Sequence, residues 1–204
     1  MKNRSLLIKN ARILTDEGLK EGSVYCRDGR IVSLGGENPP ADETFDAKGS
    51  ILAPGILDLH SHGAVNTDVN EGSTEGLLNI CRFFAKKGVT GWLCSVLTDT
   101  EEQTLKCIAA ALEAMEQPDG ANLMGIHLEG PFLSEKYAGA MPRQLLRSGD
   151  AALIRRYQEA AGGKILTMTL APEVPGVMEA IPELSQMLTL CMGHSDADYA
   201  QAKA

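Results

Sequence analysis

Two histidines and an aspartate alternate in the segment Asp58-Leu59-His60-Ser61-His62, at the end of an apolar run. Residues two apart in a β-strand point to the same face, so the spacing predicts that Asp58, His60 and His62 project together at the C-terminal end of a strand. Two imidazoles placed in this way can bind one divalent cation, and a nearby carboxylate can bridge to a second. The alternative is that both histidines lie in a loop and only form hydrogen bonds.

A second group follows in Ile126-His127-Leu128-Glu129-Gly130-Pro131. His127 and Glu129 share a face at the end of another predicted strand, which Gly130-Pro131 breaks at once. A carboxylate at such a strand end is a hard oxygen ligand for Zn, Fe, Mn or a similar ion. Glu129 could instead be an acidic residue of a turn or of a helix N-terminus.

A third predicted strand ends in Met192-Gly193-His194. Taken alone, His194 could be a structural histidine, as most lone histidines are. Histidines and one glutamate nevertheless fall at the ends of several predicted strands, which is what a metal site at the mouth of a barrel requires. The combination therefore predicts a divalent metal site more strongly than any one of these residues does.

The elements that must position these side chains are apolar strands that alternate with amphipathic helices. Strands are predicted at residues 51–59, 88–97, 123–128, 165–170 and 188–192, and helices near 73–87, 101–116, 149–161 and 176–186, with a further helix beginning near 196. This alternation indicates an α/β fold with a parallel sheet covered on both faces. Five such units fit either a (β/α) barrel or a doubly wound sheet. Because a barrel needs eight strands, the barrel interpretation implies that the functional protein continues beyond Ala204.

Residues 1–52 have a different pattern, with short β-like runs at 5–13, 22–27 and 30–34. Asp28-Gly29 between two of these runs is a strong hairpin signal. A second turn at Asp46-Ala47-Lys48-Gly49 leads into another short run. The pattern predicts a small, mostly antiparallel β-domain, separate from the α/β region at 53–204.

Composition excludes several classes of function. The net charge of −8 and the low content of aromatic residues, 4%, argue against a nucleic-acid partner. No run approaches the roughly 20 apolar residues of a membrane helix, and no secretory signal opens the chain. The 5 cysteines are widely spaced, which favours free thiols in a reducing cytoplasm over a disulfide framework.

Five segments, taken in order, resemble the signatures of the N-acetylglucosamine-6-phosphate deacetylases, a family of the amidohydrolase superfamily. They are Leu57-Asp58-Leu59-His60-Ser61-His62-Gly63, Gly88-Val89-Thr90 with the later Thr98, Gly125-Ile126-His127-Leu128-Glu129-Gly130-Pro131-Phe132, Leu170-Ala171-Pro172-Glu173 and Gly193-His194-Ser195. The two alternating histidines mark only the superfamily, whereas the third segment followed by the last two is specific to the deacetylases. The resemblance covers essentially the whole chain.

The resemblance implies an incomplete (β/α)8 TIM-type barrel, preceded by part of a small β-sandwich. It implies that Glu129 and His194 are metal ligands, and that His60 and His62 match the histidine pair of members that hold two metals. The cofactor would be one or two ions of Zn, Fe, Mn or Co, with His127 and Asp58 supporting the ligands.

The loop at 136–141 is similar to the family loop that touches the sugar of the substrate. The resemblance places Ala140 and Met141 at the contacting positions. Many members have histidine where this chain has Met141, and a methionine side chain can pack against a sugar but hardly donate a hydrogen bond.

The implied activity is metal-dependent hydrolysis of the acetamide of N-acetylglucosamine 6-phosphate, a phosphorylated amino sugar, to acetate and glucosamine 6-phosphate. The catalytic aspartate and the phosphate contacts of the family lie downstream of a point that matches Ala204. No catalytic residue is therefore expected within 1–204, the fragment alone is expected to be inactive, and the intact protein is expected to be a homodimer.

Two alternatives stay open. Another amidohydrolase, such as a cyclic-amide hydrolase or a dipeptidase, would share the His60 and His62 pair, although such enzymes typically use a carboxylated lysine and no lysine occupies the strand end at Glu129. The second alternative is a non-catalytic fragment that binds metal weakly or is inert.

Overall fold

The computed structural model of the protein describes residues 4–36 and 39–203. The chain divides into two compact units, Met1–Pro54 and Gly55–Ala204, and each has its own sheet. The boundary predicted after residue 52 lies close to this division. Within the described ranges, no helix is long and apolar enough to cross a membrane.

The first unit is a mixed sheet. Its strands are β1 (Ser5–Thr15), β2 (Gly18–Arg27), β3 (Arg30–Leu34), β4 (Glu43–Asp46) and β5 (Ile51–Leu52). β1, β2 and β3 pair antiparallel, whereas β4 and β5 both pair parallel with β1. The prediction of a mostly antiparallel arrangement is therefore right for the hairpins and wrong for the last two strands.

The hairpin between β2 and β3 turns at Asp28-Gly29, as its sequence predicts. Both residues have positive φ, 53° at Asp28 and 73° at Gly29. This is the pattern of a type I′ turn, which suits the twist of a two-residue hairpin and for which Asp-Gly is a preferred pair. The small core of the unit contains Ala11, Ile13, Val24 and Ala47.

The second unit is built on a parallel sheet. Its strands are β6 (Ile56–Ser61), β9 (Val89–Leu97), β10 (Asn122–Glu129), β11 (Ile165–Leu170) and β12 (Thr189–Met192), and a small hairpin, β7 (Gly63–Ala64) and β8 (Thr67–Asp68), follows β6. The five strands lie in the order β12-β11-β10-β9-β6 and are all parallel. β10 is thus the middle strand, and β6 and β12 are the ends of the order.

Helices follow the strands of this sheet. They are α1 (Thr74–Ala85), α2 (Glu101–Met115), α3 (Ala151–Ala160), α4 (Val177–Met187) and α5 (Tyr199–Lys203). Ser73, Thr100 and Asp150 begin the first three helices, and each side chain accepts a hydrogen bond from a backbone N–H of the first turn. Trp92 and Ile126, both fully buried, lie in the core shared by helices and strands.

The prediction of one strand over residues 51–59 is wrong. Ile51–Leu52 forms β5 in the first unit, and Ile56–Ser61 forms β6 in the second. Ala53-Pro54-Gly55 separates them, because proline has no N–H to donate to a sheet and usually interrupts one. An apolar run by itself does not show where one unit ends and the next begins.

Candidate metal centre

Glu129 is the last residue of the middle strand β10, and its carboxylate is surrounded by imidazoles. The residue is only 6% exposed. Its Oε2 lies 3.0 Å from Nε2 of His62, and its Oε1 lies 3.0 Å from Nε2 of His194 and 3.5 Å from Nε2 of His60. Side chains from the ends of three strands therefore meet at one carboxylate.

The structure brings together the residues that the sequence analysis placed at the metal site. Candidate ligand atoms of His60, His62 and Glu129 all lie within 4.8 Å of one another. The Nε2 atoms of His60 and His62 are 3.0 Å apart, and His194 joins the group through Glu129. Imidazole nitrogens and a carboxylate oxygen directed at a common point are a donor set that suits a divalent transition metal.

The turn after β6 is held by Ser95 of β9. Nδ1 of His62 lies 3.0 Å from the Ser95 carbonyl oxygen, and the backbone N–H of Ser61 donates to the Ser95 hydroxyl at 3.1 Å. Because Nδ1 must donate to that carbonyl, Nε2 of His62 is the nitrogen directed at Glu129. This arrangement fixes the ring and leaves Nε2 to hold either a proton or a cation.

The pKa values of Glu129 and His62 are shifted in opposite directions. Burial raises the pKa of the Glu129 carboxyl, but the hydrogen bond from His62 and the charges of His62 and His60 outweigh it and bring the pKa to about 2. The hydrogen bond to Glu129 raises the pKa of His62 above its ordinary value, against the effect of burial. Glu129 is therefore an anion at neutral pH, and His62 tends to keep a proton on the nitrogen that would bind a cation.

His127 is 2% exposed and lies beside the imidazole cluster, not between its members. Its Nδ1 is 2.9 Å from the Ser95 hydroxyl and its Nε2 is 2.9 Å from the Thr169 hydroxyl. Burial, helped by the charge of His60, lowers the pKa of His127 to about 4. His127 is thus neutral, and its ring packs 4.7 Å from that of His60, centroid to centroid.

Both ring nitrogens of His127 are engaged by hydroxyls, Nδ1 by that of Ser95 and Nε2 by that of Thr169. A neutral imidazole carries one ring hydrogen, so one of these nitrogens donates to its hydroxyl and the other accepts. With both nitrogens engaged by hydroxyls, His127 contacts the cluster through its ring, which packs on that of His60.

His194 reaches the site from a loop. It follows β12 after Gly193 and has a φ of 51°, in the left-handed region. Its Nδ1 lies 2.7 Å from the Tyr137 carbonyl oxygen, and its own carbonyl accepts from the N–H of Ser134 at 2.9 Å. These contacts direct Nε2 at Glu129.

Asp58 and Met141, two other residues predicted to take part in the site, do not lie in the imidazole cluster. The carboxylate of Asp58 accepts from the backbone N–H of His60 at 3.1 Å, so it stabilises the strand end and is not part of the ligand group. Met141 is 5% exposed and packs in a cluster with Leu133 and Ala138. Its side chain packs in the loop interior, whereas Ala140 is exposed, and contact of either residue with a sugar stays a prediction.

Ser95 and Thr169, whose hydroxyls hold His127, were not predicted as site residues from the sequence. Both are polar residues inside otherwise apolar strands, and both are buried. A buried hydroxyl needs a hydrogen-bond partner. Its presence in an apolar strand was the available signal, but sequence alone does not identify the partner.

Known proteins resemble this chain over almost all of its length, although no protein-family model matches it. The N-acetylglucosamine-6-phosphate deacetylase of Bacillus subtilis is 38% identical over 205 residues, which are 96% of this chain and 52% of that protein. The structure of N-acetylglucosamine-6-phosphate deacetylase from Pasteurella multocida has a TM-score of 0.85 and 25% identity, over 98% of this chain and 53% of that one.

A third relative was solved with a ligand. It is a variant of N-acetyl-D-glucosamine-6-phosphate deacetylase from Mycobacterium smegmatis in complex with N-acetyl-D-glucosamine-6-phosphate, with a TM-score of 0.81 and 26% identity over 100% of this chain and 52% of that one. The present chain thus spans about half the length of the relatives it matches. The resemblance read from the motifs is confirmed: along almost its whole length, the chain is similar to N-acetylglucosamine-6-phosphate deacetylases.

Proposed function

We propose that the protein, at the full length of its relatives, hydrolyses the acetamide of N-acetylglucosamine 6-phosphate to glucosamine 6-phosphate and acetate. The reaction would serve amino-sugar catabolism. The observation that carries the proposal is the convergence of His60, His62 and His194 on Glu129. The names of the relatives supply the substrate, and the neighbour solved with N-acetyl-D-glucosamine-6-phosphate supports a phosphorylated amino sugar as the ligand.

The residues that would hold the metal are His60, His62, Glu129 and His194. Their nitrogens and carboxylate oxygen suit Zn, Fe, Mn or Co, as one ion or two. When bound, a divalent cation polarises the acetamide carbonyl and makes water a better nucleophile near neutral pH. Glu129 contributes an anion at that pH because its pKa is about 2.

The remaining roles are divided between this chain and residues outside it. Ala140 and Met141 of the loop at 136–141 are assigned to the sugar contact. The transfer of a proton from water to the departing amine is assigned to an aspartate outside residues 1–204. Residues 1–204 alone are therefore expected to bind metal without deacetylating the substrate.

The proposal extends to architecture and setting. The five parallel strands would be part of an eight-stranded TIM-type barrel, and residues 1–52 part of a β-sandwich. This is supported by TM-scores of 0.81 and 0.85 against chains of which this one covers about half. We assign the intact protein to the cytoplasm, consistent with five free cysteines, and expect a homodimer.

The substitution Glu129→Gln tests the proposal. It keeps the size of the side chain but removes the charge, so the intact protein should lose tightly bound metal together with deacetylation. The matched control is Glu102→Gln on α2, an exposed residue that should change neither property. Metal content is measured by elemental analysis and activity by acetate release. Unchanged metal content in Glu129→Gln would contradict the ligand assignment.

A further inference from the structure

The segment after His194 is held by a carboxylate from another loop. Glu173 follows β11, and its Oε2 accepts from the Ser195 hydroxyl at 2.7 Å. Its Oε1 accepts from the backbone N–H of Asp196 at 2.5 Å. The Ser195 oxygen in turn accepts from the N–H of Ala197 at 3.0 Å. One carboxylate therefore holds the two residues that directly follow His194.

His194 needs such support because its backbone is in a disfavoured conformation. A φ of 51° brings the Cβ of any residue except glycine close to its own backbone. On the N-terminal side, Gly193 donates its N–H to the Leu170 carbonyl at 3.1 Å. With Glu173 holding the C-terminal side, His194 cannot relax toward the usual regions without breaking hydrogen bonds at one of its ends.

A second attachment of this segment is weaker. Lys136 and Asp196 form an ion pair of 2.8 Å, but their side chains are 64% and 42% exposed. Exposed pairs of this kind contribute little, because water screens the charges and both side chains lose freedom. Glu173 is half-buried and bonds to the backbone as well as to a hydroxyl, so it restrains the loop more firmly.

We propose that Glu173 is a positioning residue for the metal centre. By holding Ser195 and Asp196, it keeps Nε2 of His194 at 3.0 Å from Glu129 and thereby sets the affinity of the centre for a divalent cation. The inference rests on the proposed function, because it takes His194 as a cation ligand. Glu173 does not belong to the ligand group found among the described residues, so it acts through His194.

The first experiment compares zinc affinities of residues 1–204 by competition with a chromophoric chelator. Glu173→Gln replaces one of the two accepting oxygens with an NH2 group and removes the charge, so it cannot keep both hydrogen bonds as Glu173 does. Loss of such supporting contacts typically weakens metal binding 10–100-fold, and we expect a Kd about 10-fold higher. The matched control is Glu179→Gln, an exposed glutamate of α4, which should bind as the wild type does. Circular dichroism verifies that each variant is folded.

A double-mutant cycle separates positioning from general destabilisation. If Glu173 acts through His194, adding Glu173→Gln to His194→Ala should weaken zinc binding no further than His194→Ala alone. An equal loss in both backgrounds would contradict the proposal. Ser195→Ala, which removes one of the two donors to Glu173, should raise the Kd about 3-fold and replaces Glu173→Gln in the cycle if that variant does not fold.

The outcomes distinguish this inference from the proposed function. If Glu129→Gln abolishes zinc binding while Glu173→Gln behaves like Glu179→Gln, the metal centre stands and the role of Glu173 is wrong. If Glu129→Gln binds zinc as tightly as the wild type, or if the wild type binds none, the proposed centre fails and this inference fails with it.

Discussion

The middle strand of the parallel sheet and the two strands at its ends contribute to the candidate centre in different ways. Glu129, on the middle strand β10, has a side chain only 7% exposed. The histidines that approach it from β6 and from the loop after β12 are more open, with side chains 50% exposed at His60, 34% at His62 and 28% at His194. The anion is buried and the imidazoles around it are partly exposed.

This difference in exposure follows from the number of strands to which each strand is hydrogen-bonded. β10 is hydrogen-bonded to β9 on one side and to β11 on the other, so the sheet holds its backbone from both sides. β6 and β12 each have one neighbour in the sheet, and their histidines depend on carbonyl groups of other segments, Ser95 for His62 and Tyr137 for His194. The carboxylate of Glu129 thus stands on a strand held from both sides, whereas His62 and His194 are held by contacts with other segments.

The largest expected contrast is in packing. Ile126 on β10 is fully buried, and Ile126→Ala should lower the free energy of unfolding by about 3 kcal/mol, because it removes apolar contacts and leaves a cavity. Leu59 on β6 is 55% exposed, so Leu59→Ala should cost less than about 1 kcal/mol. Urea unfolding of both variants measures the difference. Equal losses would show that the middle strand is not the better-packed element.

A smaller effect is expected where the middle and end strands are connected. The Ser95 hydroxyl bonds both Ser61, at the end of β6, and His127 on β10. Ser95→Ala leaves both partners unpaired and should cost about 2 kcal/mol, the range found for buried groups that lose a partner. Ser148→Ala, at an exposed serine, serves as the control and should unfold as the wild type does. An unchanged free energy of unfolding in Ser95→Ala would mean that the two strands are positioned independently.

The smallest expected effect is a pH dependence at His127. Its pKa is about 4 in the folded chain against an ordinary 6.5, so the unfolded chain binds more protons between these values and stability falls as pH falls. From pH 7 to 5.5 this histidine should cost the wild type about 1 kcal/mol of unfolding free energy.

His127→Gln, which cannot titrate but can still donate and accept hydrogen bonds, should lose that part of the pH dependence. Urea unfolding at both pH values measures it. Parallel pH profiles for wild type and variant would show that His127 is not held in its neutral form by the middle strand.

Much of the secondary structure could be predicted from local patterns. The four longer helices lie within the predicted ranges or within two residues of them, because apolar periodicity marks their length. The first three also begin after a capping residue, Ser73, Thr100 or Asp150. The prediction of one strand over 51–59 failed because apolar composition does not distinguish one strand from two that belong to different sheets. The parallel pairing of β4 with β1 was not predicted, because strand partners are not encoded locally.

Local patterns were enough to predict which side chains could bind a metal and that they lie at strand ends, since alternation along a strand is a local property. Which of these side chains meet depends on how distant segments fold together. His194 and Glu129 are 65 residues apart, and the order β12-β11-β10-β9-β6 brings them to 3.0 Å. The tertiary structure also assigned Ser95 and Thr169 to His127 and buried Met141, because contacts between distant segments depend on how the strands pair and the loops pack.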